Sequence, residues 1–220
     1  MTPEETDLRS LVYTEPRERA MYPYLLFEAK GGTAEQPLLL FLHGSGESGT
    51  ELEKVKTNGP PKLFPRLGLD RFSVVAPQCP DESGWEPARL AAFLAHVVEQ
   101  TRADASRIYV TGLSMGGTGA LDLAAEIPDR LAAAAILCGE GDPSKAWQLG
   151  RLPLWLFHSA ADRSVAVEHG DRLFDALRAT NAPVTYTRYR DLDHGGTWER
   201  GYGSPLLYDW LLQHVRQRDA

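Results

Sequence analysis

Apolar positions along the chain fall into short unbroken runs bounded by turn residues. They lie at 22–29 (YPYLLFEA), 37–44 (PLLLFLHG), 72–78 (FSVVAPQ), 107–113 (RIYVTGL), 132–139 (AAAAILCG), 152–159 (LPLWLFHS) and 184–190 (VTYTRYR). Runs of this length, partly β-branched and closed by glycine, proline or polar residues, predict seven strands. Helical spacing of apolar residues predicts helices over 87–101, from just after Ser114 to about 127, over 167–179 and over 206–215. Strands that are apolar on both faces and alternate with helices predict a three-layer α/β fold: a mostly parallel twisted sheet with helices on both faces. Ligands bind such sheets at the carboxyl ends of the strands, so the segments that directly follow a strand are where chemistry is sought.

Composition narrows the reading further. At 220 residues and 43% hydrophobic, the chain fits one domain spanning 1–220 with a single sizeable core. A net charge of -7 with scattered basic residues argues against a nucleic-acid partner and for a small molecule; a homo-oligomer is left open. The longest apolar stretches fall far short of the roughly 20 residues that span a bilayer. The polar start MTPEETDLRS lacks the pattern of a secretory signal, so a cytoplasmic protein is expected. Two cysteines, Cys79 and Cys138, are too few for a disulfide framework or a zinc cluster and read as buried free thiols, with a single disulfide as the alternative. No metal or other cofactor is expected.

The run at 107–113 leads into Gly112-Leu113-Ser114-Met115-Gly116 and then a helical stretch, which is G-x-S-x-G in a strand-turn-helix setting. A serine hydroxyl is a poor nucleophile unless it is exposed beside a base, so the turn must be sharp and its flanking residues small. The plainer alternative is a helix-capping serine in a glycine-rich turn.

The run at 37–44 ends in His43-Gly44-Ser45-Gly46-Glu47-Ser48-Gly49, whose backbone amides can approach a substrate closely. An oxyanion hole would take one amide from Met115 and a second from this loop, Ser45 in the first place and Gly46 as the alternate. Gly44 to Gly49 also spells G-x-G-x-x-G, a dinucleotide fingerprint. That fingerprint expects an acidic residue closing the next strand, and Asp70 precedes that strand instead. His43, ahead of the serine at a strand end, reads as structural.

Read together, LFLHGSGESGTE, NGPPKL, VVAPQCP with Trp85, RIYVTGLSMGG, HSAADRSV and DLDHGGTWERGYGSPLLYDWLL resemble the α/β-hydrolase superfamily over nearly the whole chain. Within it the chain resembles small single-domain esterases related to the phospholipase/carboxylesterase and predicted-peptidase groups. It resembles these more than the dienelactone hydrolases, which carry cysteine where Ser114 stands. In this superfamily the acid and then the histidine follow the serine. Asp162, in the loop after 152–159, suits the acid, with Asp142 as its rival. His194, in a glycine-flanked loop before the final helix, suits the base. His158 is expected to support the Asp162 loop, while His96, His169 and His214 fall in helical patterns. Asp191 and Asp193 read as a solvated turn.

The resemblance implies metal-free acyl transfer from a small-molecule ester through an acyl-enzyme, with Ser114 as nucleophile, His194 as base and Asp162 orienting it. A peptidase of the same fold and a noncatalytic ligand-binding protein on the same scaffold are the alternatives. Trp85, Trp198 and Glu47, all in post-strand loops, are expected to border the substrate pocket. Only GEGDPSKAWQLGR separates the runs at 132–139 and 152–159, so no large cap domain is expected.

Overall fold

The computed structural model describes residues 10–13 and 21–216. Its centre is one eight-stranded sheet built from β1 (Ser10–Tyr13), β2 (Tyr24–Phe27), β3 (Leu38–Leu42), β4 (Ser73–Pro77), β5 (Ile108–Leu113), β6 (Ala133–Leu137), β7 (Leu154–Ser159) and β8 (Val184–Tyr189). The strand order is β1-β2-β4-β3-β5-β6-β7-β8. Strands β1 and β2 are antiparallel to each other, β2 is antiparallel to β4, and all remaining pairings are parallel. Seven strands match the seven apolar runs; β1 was not among them.

The central strands are buried on both faces, and their side chains alternate between two cores. Leu38, Leu40 and Leu42 of β3 join one cluster, while Leu39 and Phe41 join the other, as the two-residue period of a strand requires. The first cluster is closed by α2 (Pro87–Thr101), α3 (Met115–Glu126) and α4 (Glu168–Ala179), and the second by α1 (Gly59–Leu63), α5 (His194–Tyr202) and α6 (Pro205–Leu212). Helix α2 shows why such segments are helical and where they stop. Leu90, Phe93, Leu94 and Val97 recur at three- and four-residue spacing on its buried side, Pro87 stands in its first turn, and Arg102 ends it in a left-handed conformation. Strand β8, at the sheet's edge, is only half buried.

Two predicted features differ. The segment carrying His194 is a helix, α5, and not a loop: Asp193 caps it by accepting a hydrogen bond from the Gly196 amide at 2.7 Å, so Asp193 is a helix cap and not part of a free turn. The final helix ends at Leu212, which leaves His214 beyond it, with its ring against Trp210 and its carbonyl accepting from Tyr109. Between β6 and β7 lies only a short 3-10 turn, Pro143–Leu149, in agreement with the absence of a large cap. Among the described residues no helix is long and apolar enough to cross a membrane.

Candidate functional site

The parallel strands all deliver their carboxyl ends to one edge of the sheet, and three of the loops there meet. The turn from β5 into α3 is the tightest. Ser114 has φ 52° and ψ -123°, a conformation that side-chain-bearing residues rarely adopt. Its amide is tied to the Leu137 carbonyl of β6 at 2.9 Å. The turn exists only because its neighbours lack side chains. A Cβ on Gly112 would sit 2.0 Å from the Gly116 carbonyl oxygen, and one on Gly116 would sit 2.0 Å from the Leu42 carbonyl oxygen. Helix α3 is thereby pressed against the ends of β3 and β5.

Asp162 lies in the loop after β7, where its own side chain organises the turn: Oδ1 accepts from the amides of Ser164 (2.9 Å) and Val165 (3.0 Å). The other oxygen, Oδ2, faces His194 Nδ1 at 2.6 Å. Burial raises the Asp162 pKa, but the His194 bond and the Val165 and Ser164 amides together outweigh it, and the carboxyl is held below the usual carboxylate value. A carboxylate only accepts, so His194 donates from Nδ1, and Nε2 is left to accept from the Ser114 hydroxyl at 2.9 Å. The structure thus brings Ser114, His194 and Asp162 into one hydrogen-bonded line. The rival acid, Asp142, is exposed and caps the 3-10 turn after β6 by accepting from the Ser144 amide. His158 stands behind the line, its Nε2 donating to the Val165 carbonyl at 3.0 Å and thereby bracing the Asp162 loop.

The loop after β3 flanks Ser114. A Cβ on Gly44 would be 3.5 Å from Ser114 Cβ and 3.5 Å from Glu47 Oε2. Ser45 and Gly46 are exposed in the 3-10 turn Ser45–Glu47, and Met115 opens α3. His43 anchors this loop from below. Its Nδ1 donates to the Gly44 carbonyl (2.7 Å) and its Nε2 accepts from the Cys79 amide (3.0 Å), an arrangement open only to the neutral ring. Burial pushes its pKa down to about 4, against the opposing Gly44 bond. The unfolded chain therefore takes up a proton near pH 6.5 that the folded chain refuses until about pH 4. Urea melts are expected to lose stability as pH falls through that window, by about 3 kcal/mol from His43. His158 and His214, also held below the usual imidazole value by burial, act in the same direction.

A cavity of about 380 Å³ opens beside Ser114, with Trp85, Met115, Thr118 and Val165 in its wall and Glu82 and Glu140 at its border. Of the three residues expected at the pocket, Trp85 lines this cavity, its indole donating to the His43 carbonyl at 3.2 Å. Trp198 and Glu47 are not among the lining residues. The Trp198 ring packs on His194 (centroids 5.0 Å apart, 82° between planes), and Glu47, 6% exposed, accepts a hydrogen bond from Asn58. Asn58 falls in NGPPKL, one of the stretches that carry the resemblance, but that stretch assigns it no role.

Cys138, Asp162 and His194 offer ligand atoms within 4.8 Å of one another. Asp162 and His194 are bonded to each other, and burial pushes the Cys138 thiol up to about 12. Cys79 and Cys138 are both buried and free.

The chain is similar in sequence and fold to known proteins. A crystal structure of a thermostable esterase superposes with a TM-score of 0.82 and 30% identity, covering 96% of this chain and 64% of the other. NocK of Nocardia uniformis subsp. tsuyamanensis, provisionally named an esterase, is 31% identical over 144 residues, 58% of this chain and 40% of NocK. The chain thus spans less than two thirds of either relative. Acyl-protein thioesterase 2 of Zea mays, at 22% identity and a TM-score of 0.63 over 87% of this chain and 99% of its own, shares the fold. The superfamily expected from the sequence is the one found, although Ser114 in place of cysteine argues in the sequence against the branch that matches. The dienelactone hydrolase family model matches residues 83–203, which carry the elbow, the Asp162 loop and His194. With more than half of its length matched, the chain belongs to the dienelactone hydrolase family.

Proposed function

We propose that this protein is a serine hydrolase that cleaves carboxylic esters of small molecules through an acyl-enzyme, with Ser114, His194 and Asp162 as its catalytic triad. The observation that carries the reading is the unbroken line from Ser114 Oγ through both nitrogens of His194 to Asp162 Oδ2. Ester cleavage is favoured by the names of the thermostable esterase and of NocK. Two free buried thiols accord with action in the cytoplasm.

In this mechanism Ser114 Oγ attacks the ester carbonyl while its proton passes to His194 Nε2. The carbonyl oxygen becomes an oxyanion held by the amide of Met115, which begins α3 and has no partner within its own helix, and by that of Ser45 or its alternate Gly46. Asp162 stays ionised, keeps Nδ1–H toward itself and stabilises the imidazolium. His194 returns the proton to the leaving alkoxide, and the carbon–oxygen bond breaks. Water then attacks the acyl-enzyme, giving its proton to Nε2; the acid departs as Ser114 recovers its hydrogen. The cavity beside Ser114, walled by Trp85, would hold one substituent of the substrate.

Incubation with a fluorophosphonate probe followed by peptide mapping tests the reading. The label is expected on Ser114, with turnover of p-nitrophenyl acetate exceeding that of peptide anilides. Asp162→Asn is expected to lower kcat about 10³- to 10⁴-fold by leaving His194 in the wrong tautomer. Folded protein that takes no label at Ser114 defeats the proposal; peptide cleavage faster than ester cleavage replaces it with a peptidase.

A further inference from the structure

Glu47 is a carboxylate buried to 6% exposure, with the ring of the neutral His43 4.0 Å from its Oε2. Burying such a group is costly unless hydrogen bonds offset the loss of water, and the bond from Asn58 is one that does so. Its Oε1 accepts from Asn58 Nδ2, and Asn58 Oδ1 in turn accepts from Trp198 Nε1 at 3.3 Å. Asn58 stands at the N-cap of α1, where the N2 and N3 positions are Pro60 and Pro61 and offer no N–H for its side chain to cap, which leaves that side chain free to bond elsewhere. It is turned instead to the two neighbours that need it.

The donor and acceptor chemistry gives this chain of bonds a direction. Glu47 Oε1 accepts from the amide nitrogen of Asn58, which leaves the carbonyl end of Asn58 outward. An indole N–H can only donate, so that carbonyl is the one group on Asn58 that can hold Trp198. Trp198 lies edge to face against the His194 imidazole and one turn further along α5. The far end of the chain is fixed to the loop after β3: the Glu47 amide bonds to the Gly44 carbonyl, and the Glu47 carbonyl accepts from Gln78 Nε2 at 2.9 Å.

We infer that Glu47 and Asn58 are positioning residues that tie the Ser45–Gly46 amides to the plane of the His194 ring by way of Trp198. Neither touches the reacting atoms. This rests on the hydrolase reading above and assigns it a support that spans two loops. Small misplacements of catalytic groups are expensive in rate, so losing the link is expected to slow acylation with little change in substrate binding.

The test is a double-mutant cycle on Asn58→Ala and Trp198→Phe, which removes the indole N–H and keeps a ring against His194. Fluorophosphonate labelling rate at Ser114 and p-nitrophenyl acetate kinetics are the readouts. Each single variant is expected to lose about 10- to 100-fold in labelling rate and in kcat, with KM within about 2-fold, and the double variant to lose no more than the worse single. Wild-type rates in either folded single variant, or losses that multiply in the double, overturn the inference. Should Asn58→Ala fail to fold, Asn58→Asp, which sets two carboxylates face to face, is tested against Trp198→Phe in the same cycle. Absence of label on the wild-type protein would strike the hydrolase reading itself; a labelled wild type with an unaffected Asn58 variant strikes only this link.

Discussion

Replacing Ser114 with glycine is expected to abolish turnover and, at the same time, to make the protein more stable. The loss should be about 10⁴- to 10⁶-fold in kcat, since removal of the nucleophile leaves only the oxyanion amides and binding. The gain comes from φ 52° and ψ -123° at this position, where a side chain costs about 1–3 kcal/mol and glycine is unstrained. Glycine's freedom in the unfolded chain takes back about 0.5–1 kcal/mol. A net gain near 1 kcal/mol corresponds to a rise of about 2–4 °C in melting temperature for a chain of this size. Ser114→Ala supplies the comparison: it loses the hydroxyl and keeps the strain, so it should match the glycine variant in activity and fall below it in stability. Calorimetry on the three proteins decides the matter, and a glycine variant that melts below the alanine variant would show that the elbow stores no strain.

What could be read from the residues alone follows the strength of local signals. Six of the eight strands are long apolar runs at the middle of the sheet, and β8 kept its β-branched and aromatic pattern at the edge. The short β1 strand lay inside a mixed polar segment, SLVY, with nothing to set it apart. Helix α1 is only five residues long and carries Pro60 and Pro61, too short for helical spacing of apolar residues to mark it, although proline is at home in a first helical turn. Helix α5 was hidden by Gly195, Gly196 and Gly201. At least Gly201 is there for packing: a Cβ would approach Leu137 Cδ2 to 2.7 Å, so glycine lets the helix carrying His194 lie close on the sheet.

The candidate triad was legible because each member directly follows a strand in a fixed chain order, so topology alone brings them to one edge. Side-chain direction within a loop has no such rule. Glu47 follows β3 just as Ser45 does, yet the 3-10 turn leaves Ser45 exposed and buries Glu47 against Asn58. The link from Glu47 to Trp198 joins residues more than 100 positions apart through Asn58, to which the stretch NGPPKL assigns no role, and only coordinates reveal it.

Gly116→Ala should be among the most damaging single methyls that can be added near this site. Its Cβ would lie 2.0 Å from the Leu42 carbonyl oxygen, 2.4 Å from the carbon and 2.5 Å from the His43 carbonyl oxygen. All three are backbone atoms at the end of β3, so no side chain can rotate out of the way. Relief demands that α3 and β3 separate by more than an ångström, and both are fixed: α3 against β5 and β6, β3 by its ladders to β4 and β5. Overpacking of a rigid core commonly costs about 1–3 kcal/mol, and a clash this deep against backbone belongs in the exceptional range of about 4 kcal/mol or more. Since the end of β3 leads into Gly44–Glu47, the separation also moves the Ser45 and Gly46 amides away from Ser114. Loss of fluorophosphonate labelling should therefore accompany the loss of stability, even at temperatures where the variant remains folded. Gly46→Ala is the contrast: a Cβ there meets nothing within 4 Å, and its stability should stay within about 0.5 kcal/mol of the parent. Equal urea midpoints for the two alanine variants would mean that the contact between α3 and the end of β3 is looser than 2.0 Å implies, and that the elbow is not held by its glycines.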